Sequence, residues 1–130
     1  MHESILIIDD EPGITIALMI RLQNAGYTVN HAINGLAGVE AAALHRPDLV
    51  ILDVRMPDVD GFEVFERIRR LPGLTDTPVI LLTANNCEDT LQRSLDAGID
   101  AFIAKPFDSS VVLQRVRELL SLCPKGVEDG

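Results

Sequence analysis

The chain has 130 residues, 47% apolar and 24% charged, enough for one domain with its own core. Twenty acidic residues against eleven basic ones leave a net charge of −9, which excludes binding of nucleic acid or an anionic membrane by bulk charge. No run approaches the roughly 18 apolar residues of a membrane span, and Met1-His2-Glu3 lacks the basic flank of a secretory signal.

Residues 4–9 (SILIID) read as the first strand. Pro12 suits a first helical turn, Ile14, Leu18, Leu22 and Ala25 recur at helical spacing, and Gly26 suits the position past the helix end. Residues 27–31 (YTVNH) are a second strand, followed by a helical pattern at Leu36, Val39 and Ala43. Residues 48–53 (DLVILD) are a third strand. Asp60, with Glu63 three residues on, caps a third helix carrying Phe62, Phe65 and Ile68. Residues 78–83 (PVILLT) are a fourth strand, and Asn86 with Asp89 caps a fourth helix through Leu91 and Leu95, closed by Gly98. Residues 101–104 (AFIA) are a fifth strand, and Val112, Val116 and Leu120 mark a fifth helix. Beyond Leu122 periodicity is lost, so residues 1–122 read as the domain and residues 123–130 as a linker stub or frayed tail.

Three of the strands are continuous β-branched and leucine runs, as in parallel strands covered on both faces. Five β-α units in succession predict an α/β fold, a doubly wound parallel sheet flanked by five helices. Cys87 and Cys123 are far apart and outside any CxxC spacing, and read as reduced thiols of a cytosolic protein. His2, His31 and His45 read as solvated or capping histidines.

The polar residues gather at one rim. Strand one ends in Asp9-Asp10, strand three in Asp53 and strand four in Thr83, and Lys105 follows strand five. Open parallel sheets bind ligands outside the carboxyl ends of their strands. Three carboxylates brought together repel one another and call for a hard divalent cation such as Mg²⁺. A cation, a lysine ammonium and a hydroxyl together suit a phosphoryl group, and an aspartate at their centre suits a nucleophile. Singly, each residue has a plainer reading: Asp9-Asp10 as a helix cap, Asp53 as a turn residue, Thr83 as a strand residue, Lys105 as a solvated lysine. Their joint placement carries the argument.

From about residue 4 to 121 the chain resembles a receiver domain of the two-component response-regulator family. The resemblance rests on Asp9-Asp10-Glu11, Leu52-Asp53-Val54-Arg55-Met56-Pro57 with Asp60-Gly61, Leu82-Thr83-Ala84 and Lys105-Pro106-Phe107. It implies a flavodoxin-like sheet of order 2-1-3-4-5. It implies Asp53 as phosphoacceptor, with Mg²⁺ (or Mn²⁺) held by Asp9, Asp10, Asp53 and the backbone carbonyl of Arg55. Lys105 would pair with the phosphate, Thr83 would move to bond it, and Phe102 would follow by a rotamer change. The Lys105–Pro106 bond is a candidate cis peptide.

The phosphoryl donor implied is a sensor histidine kinase or a histidine phosphotransfer protein. The domain then acts not as an enzyme on a separate substrate but on its own phosphorylation and dephosphorylation, in the cytoplasm. Its output would go to an output domain or effector, through the face of the fourth helix, fifth strand and fifth helix. The resemblance also implies a phosphorylation-dependent homodimer through charged pairs on that face, of which only Asp100 and Arg115 keep the charged pattern. Leu91, Ala101 and Val111 read instead as a candidate partner surface. Arg55 and Asn85 flank the site, where the family tunes hydrolysis.

Three other readings compete. A receiver-like binding module independent of phosphorylation would lack one or more of the five site residues. A Mg²⁺-dependent phosphatase would need an acid at position 55, which is Arg. A flavin carrier of similar fold would want a Ser/Thr/Gly-rich loop where this chain has Asp-Asp-Glu.

Overall fold

A computed structural model gives the fold; it describes residues 3–54, 59–83, 92–93, 96–105 and 107–122. The elements in chain order are β1 (Ser4–Ile8), α1 (Pro12–Asn24), β2 (Thr28–Ala32), α2 (Gly35–His45), β3 (Leu49–Asp53), α3 (Gly61–Arg69), β4 (Val79–Thr83), β5 (Ala101–Ala104) and α4 (Ser109–Leu122). Between β4 and β5, Gln92, Arg93, Asp96 and Ala97 are helical. These four residues are what is described of the fourth of the five helices expected; its cap, Asn86 with Asp89, lies outside the described residues, as do Asn85, Cys87 and Leu91. So do His2, Arg55, Pro106 and the tail 123–130.

All strand pairs are parallel and the order is β2-β1-β3-β4-β5. The expected strands are found, with ends shifted by a residue. The sheet divides the core in two. Ile5, Ile7, Leu49, Ile51, Ile80, Leu82 and Ile103 point to one face, under Leu18 and Leu22 of α1 and Val112, Leu113 and Val116 of α4. Leu6, Ile8, Val50, Leu52, Val79 and Leu81 point to the other, under Ala42 of α2 and Phe62, Val64, Phe65 and Ile68 of α3. Both faces are dry along β1, β3 and β4, which is why those strand sequences show no polar alternation. Among the described residues no helix is long and apolar enough to cross a membrane.

Local chemistry ends each helix. Pro12 opens α1, whose flanking Glu11 makes no side-chain cap. Asn34 caps α2 by accepting from Ala37 N–H at 2.8 Å. Asp60 caps α3 by accepting from Phe62 N–H at 2.9 Å. Glu63, expected to share that cap, instead pairs with Arg67 one turn on at 2.6 Å. Gly26 (φ 102°) and Gly98 (φ 77°) take the left-handed conformation expected past a helix end. Arg46 takes it too (φ 49°) at the end of α2, without a glycine's freedom.

Candidate functional site

The carboxyl ends of β1, β3 and β4 deliver Asp9, Asp53 and Thr83 to one end of the sheet, all three buried. The chain leaves β1 with Asp9 N–H bonded to Ala32 O (3.1 Å), and Asp9 Oδ1 accepts from Glu11 N–H (2.9 Å). That short turn turns Asp9 inward and leaves Asp10 exposed. Lys105 arrives from the far side of the sheet, its N–H bonded to Thr83 O at 2.6 Å. Its ammonium donates to Asp53 Oδ2 at 3.1 Å and to Glu11 Oε1 at 2.7 Å, and stands 3.9 Å from Asp9 Oδ2. Ligand atoms of Asp9, Asp10 and Asp53 lie within 4.8 Å of one another.

The electrostatics follow from this crowding. Burial pushes the Asp9 carboxyl up from 3.8 to about 6; the Asp53 and Glu11 charges add to that, while the Glu11 N–H and the Lys105 charge oppose it. For Lys105, burial works against the ammonium. Its bonds to Glu11 and Asp53 and the nearby aspartate charges outweigh burial, and it titrates above an ordinary lysine.

The residues present fit a hard divalent cation. Three carboxylates offer oxygens at close range, and Asp9 Oδ2 is buried with no hydrogen-bond partner among the described residues. An oxygen so placed is costly unless a cation takes it up.

The structure brings together the carboxylates of Asp9, Asp10 and Asp53 and the ammonium of Lys105, with Thr83 buried at the neighbouring end of β4 and bonded through its carbonyl to Lys105 N–H. Phe102 is half-buried on β5 and packs on the α2/α3 side of the core. Its register partner on β4 is Leu81, two positions before the Thr83–Ala104 pair, so Phe102 and Thr83 share a sheet face. The carbonyl of Arg55 and the Lys105–Pro106 bond lie outside the described residues, as does Leu91. Val111 is exposed, but Ala101 is half-buried and packs against the core, so it offers a partner little apolar surface. Asp100 and Arg115 have partners within the chain: Asp100 accepts from Val79 N–H and Arg69, and Arg115 pairs with Glu118.

Two contacts were not legible in the sequence. Glu11 reaches Lys105 across 94 positions. His31, expected to be solvated or capping, instead bonds through Nε2 to Asp9 O at 2.9 Å, tying the end of β2 to the turn that bears the acids. Its place at a strand's carboxyl end, beside β1, is the signal that could have found it.

Comparison with known proteins agrees with this geometry. The family model described as response regulator receiver domain matches residues 5–117. The chain is 45% identical over 117 residues to the DNA-binding dual master transcriptional regulator RpaA of Synechocystis sp., covering 89% of this chain and 48% of that protein. It is 37% identical over 122 residues to sporulation initiation phosphotransferase F of Bacillus subtilis, covering 94% and 97%. The chain thus spans about half the length of the first relative and nearly all of the second. Among solved structures, a CheY-like response regulator receiver domain protein from Methanospirillum hungatei JF-1 superposes with a TM-score of 0.88 at 27% identity, over 100% of both chains. The receiver domain of a sensor histidine kinase from Pseudomonas aeruginosa PAO1, with a magnesium ion coordinated in its active site cleft, superposes with a TM-score of 0.84 at 27% identity, over 93% of this chain and 99% of that one. With its parallel sheet, its acidic rim and the match over residues 5–117, the chain belongs to the response regulator receiver domains.

Proposed function

We propose that the chain is a phosphorylation-controlled switch in which Asp53 accepts a phosphoryl group from a phosphohistidine of a sensor kinase or phosphotransfer protein. The observation that carries this is Asp53 itself. It is a buried carboxylate with an ammonium 3.1 Å away and two more carboxylates within metal-ligand reach.

An Asp53 carboxylate oxygen attacks phosphorus, forming a P–O bond as the P–N bond breaks and its electron pair returns to the donor imidazole. Hydrolysis reverses the capture: water attacks phosphorus, the P–O bond to Asp53 breaks, and inorganic phosphate leaves. Asp9, Asp10 and Asp53, with the carbonyl of Arg55, would hold Mg²⁺, which supplies charge neutralisation for the phosphoryl oxygens. Lys105 binds one phosphoryl oxygen, and its loss would leave that charge unpaired. The Thr83 hydroxyl moves toward another, and the space it leaves admits the Phe102 ring. The domain therefore catalyses its own phosphorylation and dephosphorylation and has no separate substrate. The longer relatives named as transcriptional regulators favour an output domain or effector as the recipient of the signal.

Intact mass after incubation with acetyl phosphate and Mg²⁺ tests the reading. The wild type is expected to gain one phosphoryl group, and Asp53→Asn, or omission of Mg²⁺, to abolish the gain. No gain in the wild type, under conditions that label another receiver, would overturn the proposal in favour of a phosphorylation-independent binding module.

A further inference from the structure

We infer that Glu11 is a positioning residue that withholds Lys105 from the incoming phosphoryl group, so that a carboxylate with the reach of glutamate at the second residue after Asp9, and not its charge alone, sets the rate of phosphoryl capture. This rests on the reading of Asp53 as phosphoacceptor and adds a control on it. The observation is a division of the lysine's protons. Lys105 has three N–H donors. The shorter of its two hydrogen bonds goes to Glu11 Oε1 (2.7 Å) and the longer to Asp53 Oδ2 (3.1 Å). Asp9 Oδ2, at 3.9 Å, is within Coulombic range but beyond a hydrogen bond.

A second observation concerns what Glu11 gives up. It stands at the N-cap of α1, where a short polar side chain would bond a free helix N–H, yet its side chain makes no cap bond. Its carboxylate is directed to Lys105 instead. Its backbone is already engaged, the N–H with Asp9 Oδ1 and the carbonyl with Thr15 N–H and Oγ1. The side chain is therefore free to change without disturbing the turn.

The partners are unlike in exposure. The Lys105 side chain is 15% exposed and that of Glu11 56%. The pair thus sits at the mouth of the pocket, with the carboxylate outside and the ammonium inside. A phosphoryl group arriving on Asp53 competes with Glu11 for the same proton donor. Glu11 also presents a negative charge to an anionic donor. These two effects are separable, because a hydrogen-bond clamp needs reach and a field needs only charge.

The experiment follows the rate of phosphoryl gain by intact mass, with phosphoramidate and Mg²⁺, for the wild type, Glu11→Gln and Glu11→Asp, each also in a Lys105→Gln background. The ¹⁵N–¹H signal of the Lys105 ammonium is read in parallel. Glu11→Gln is expected to raise the rate by roughly two- to fivefold, the scale of a partly exposed ion pair. Glu11→Asp, which keeps the charge but loses one methylene of reach, is expected to behave like Glu11→Gln. Both effects should vanish in the Lys105→Gln background, and the ammonium should exchange faster with water in both single variants. Glu11→Asp matching the wild type, or a gain that survives removal of Lys105, would overturn the clamp in favour of a simple field. An unchanged or lower rate in Glu11→Gln would overturn it outright. No phosphoryl gain in any variant, with the ammonium signal still responding to Glu11→Gln, would overturn the phosphoacceptor reading, and the withholding role with it, while leaving the ion pair intact.

Discussion

Gly61 lies directly against Val54. Its N–H donates to the Val54 carbonyl at 3.1 Å, and a Cβ placed on it would meet Val54 Cα at 2.6 Å and Asp53 O at 2.9 Å. Both contacts are backbone, so neither can swing away. Gly61→Ala is expected to cost on the order of 1–3 kcal/mol, as for other overpacked sites, and to slow phosphoryl capture by displacing the backbone of Asp53. Urea unfolding with the intact-mass assay checks both. A substitution that left stability and capture unchanged would mean that α3 can shift without moving β3.

Asp9 gives the metal-free protein a pH dependence of definite sign. Its carboxyl is raised from 3.8 to about 6, so between these values the folded state binds the proton the unfolded chain has released. Stability therefore falls as pH rises from about 4 to above 6, by an amount on the order of 2–3 kcal/mol from this group. Asp9→Asn should remove most of that slope and stabilise the metal-free protein at pH 7. Mg²⁺ needs the ionised carboxylate, so its affinity should weaken as pH falls through about 6. Denaturant unfolding across pH, with and without Mg²⁺, reads both effects. A flat metal-free profile would contradict the assignment.

Thr83 and Phe102 share a face of the sheet, two register positions apart. Thr83→Ala should still gain a phosphoryl group, more slowly, while the Phe102 ring no longer responds. Thr83→Ser, which keeps the hydroxyl, should restore the response. Chemical shifts of a labelled Phe102 ring, before and after phosphorylation, distinguish these cases. A full ring response in Thr83→Ala would uncouple the two residues.

Asp100 joins the start of β5 to β4, since its Oδ2 accepts from Val79 N–H at 2.9 Å and from Arg69 at 3.3 Å. Val79 is fully buried, so truncating Asp100 leaves its N–H without that acceptor. Asp100→Ala should cost about 1–3 kcal/mol, whereas Arg115→Ala, which breaks an exposed pair within α4, should cost less than about 0.5 kcal/mol. Equal costs would show that Asp100 contributes only as a surface charge.

The strands were legible because burial on both faces writes a continuous apolar run, and Ser4–Ile8, Leu49–Asp53 and Val79–Thr83 are such runs. The five site residues were legible because each stands at the carboxyl end of a strand, where topology alone brings them together. Side-chain choices between two plausible partners were not. Glu63 could reach back to the N-cap or forward to Arg67, and the forward pair formed. Glu11 could cap α1 or meet Lys105, and only the folded chain brings the lysine within 2.7 Å. Arg46 carries a left-handed φ that its residue type does not advertise. His31 is informative only once β2 is known to lie beside β1.

The strand order has a mechanical consequence. Asp53 ends β3, the middle strand, flanked on both sides and buried at all five positions. β5 is an edge strand of four residues, of which only Ile103 is buried. Amide exchange should therefore be slowest along β3 and fastest along β5, because the edge opens by sub-global fluctuation while the centre waits for global unfolding. In the proposed switch, a charge fixed on Asp53 would act from the rigid centre toward a compliant margin of the sheet, where little work is needed to change shape.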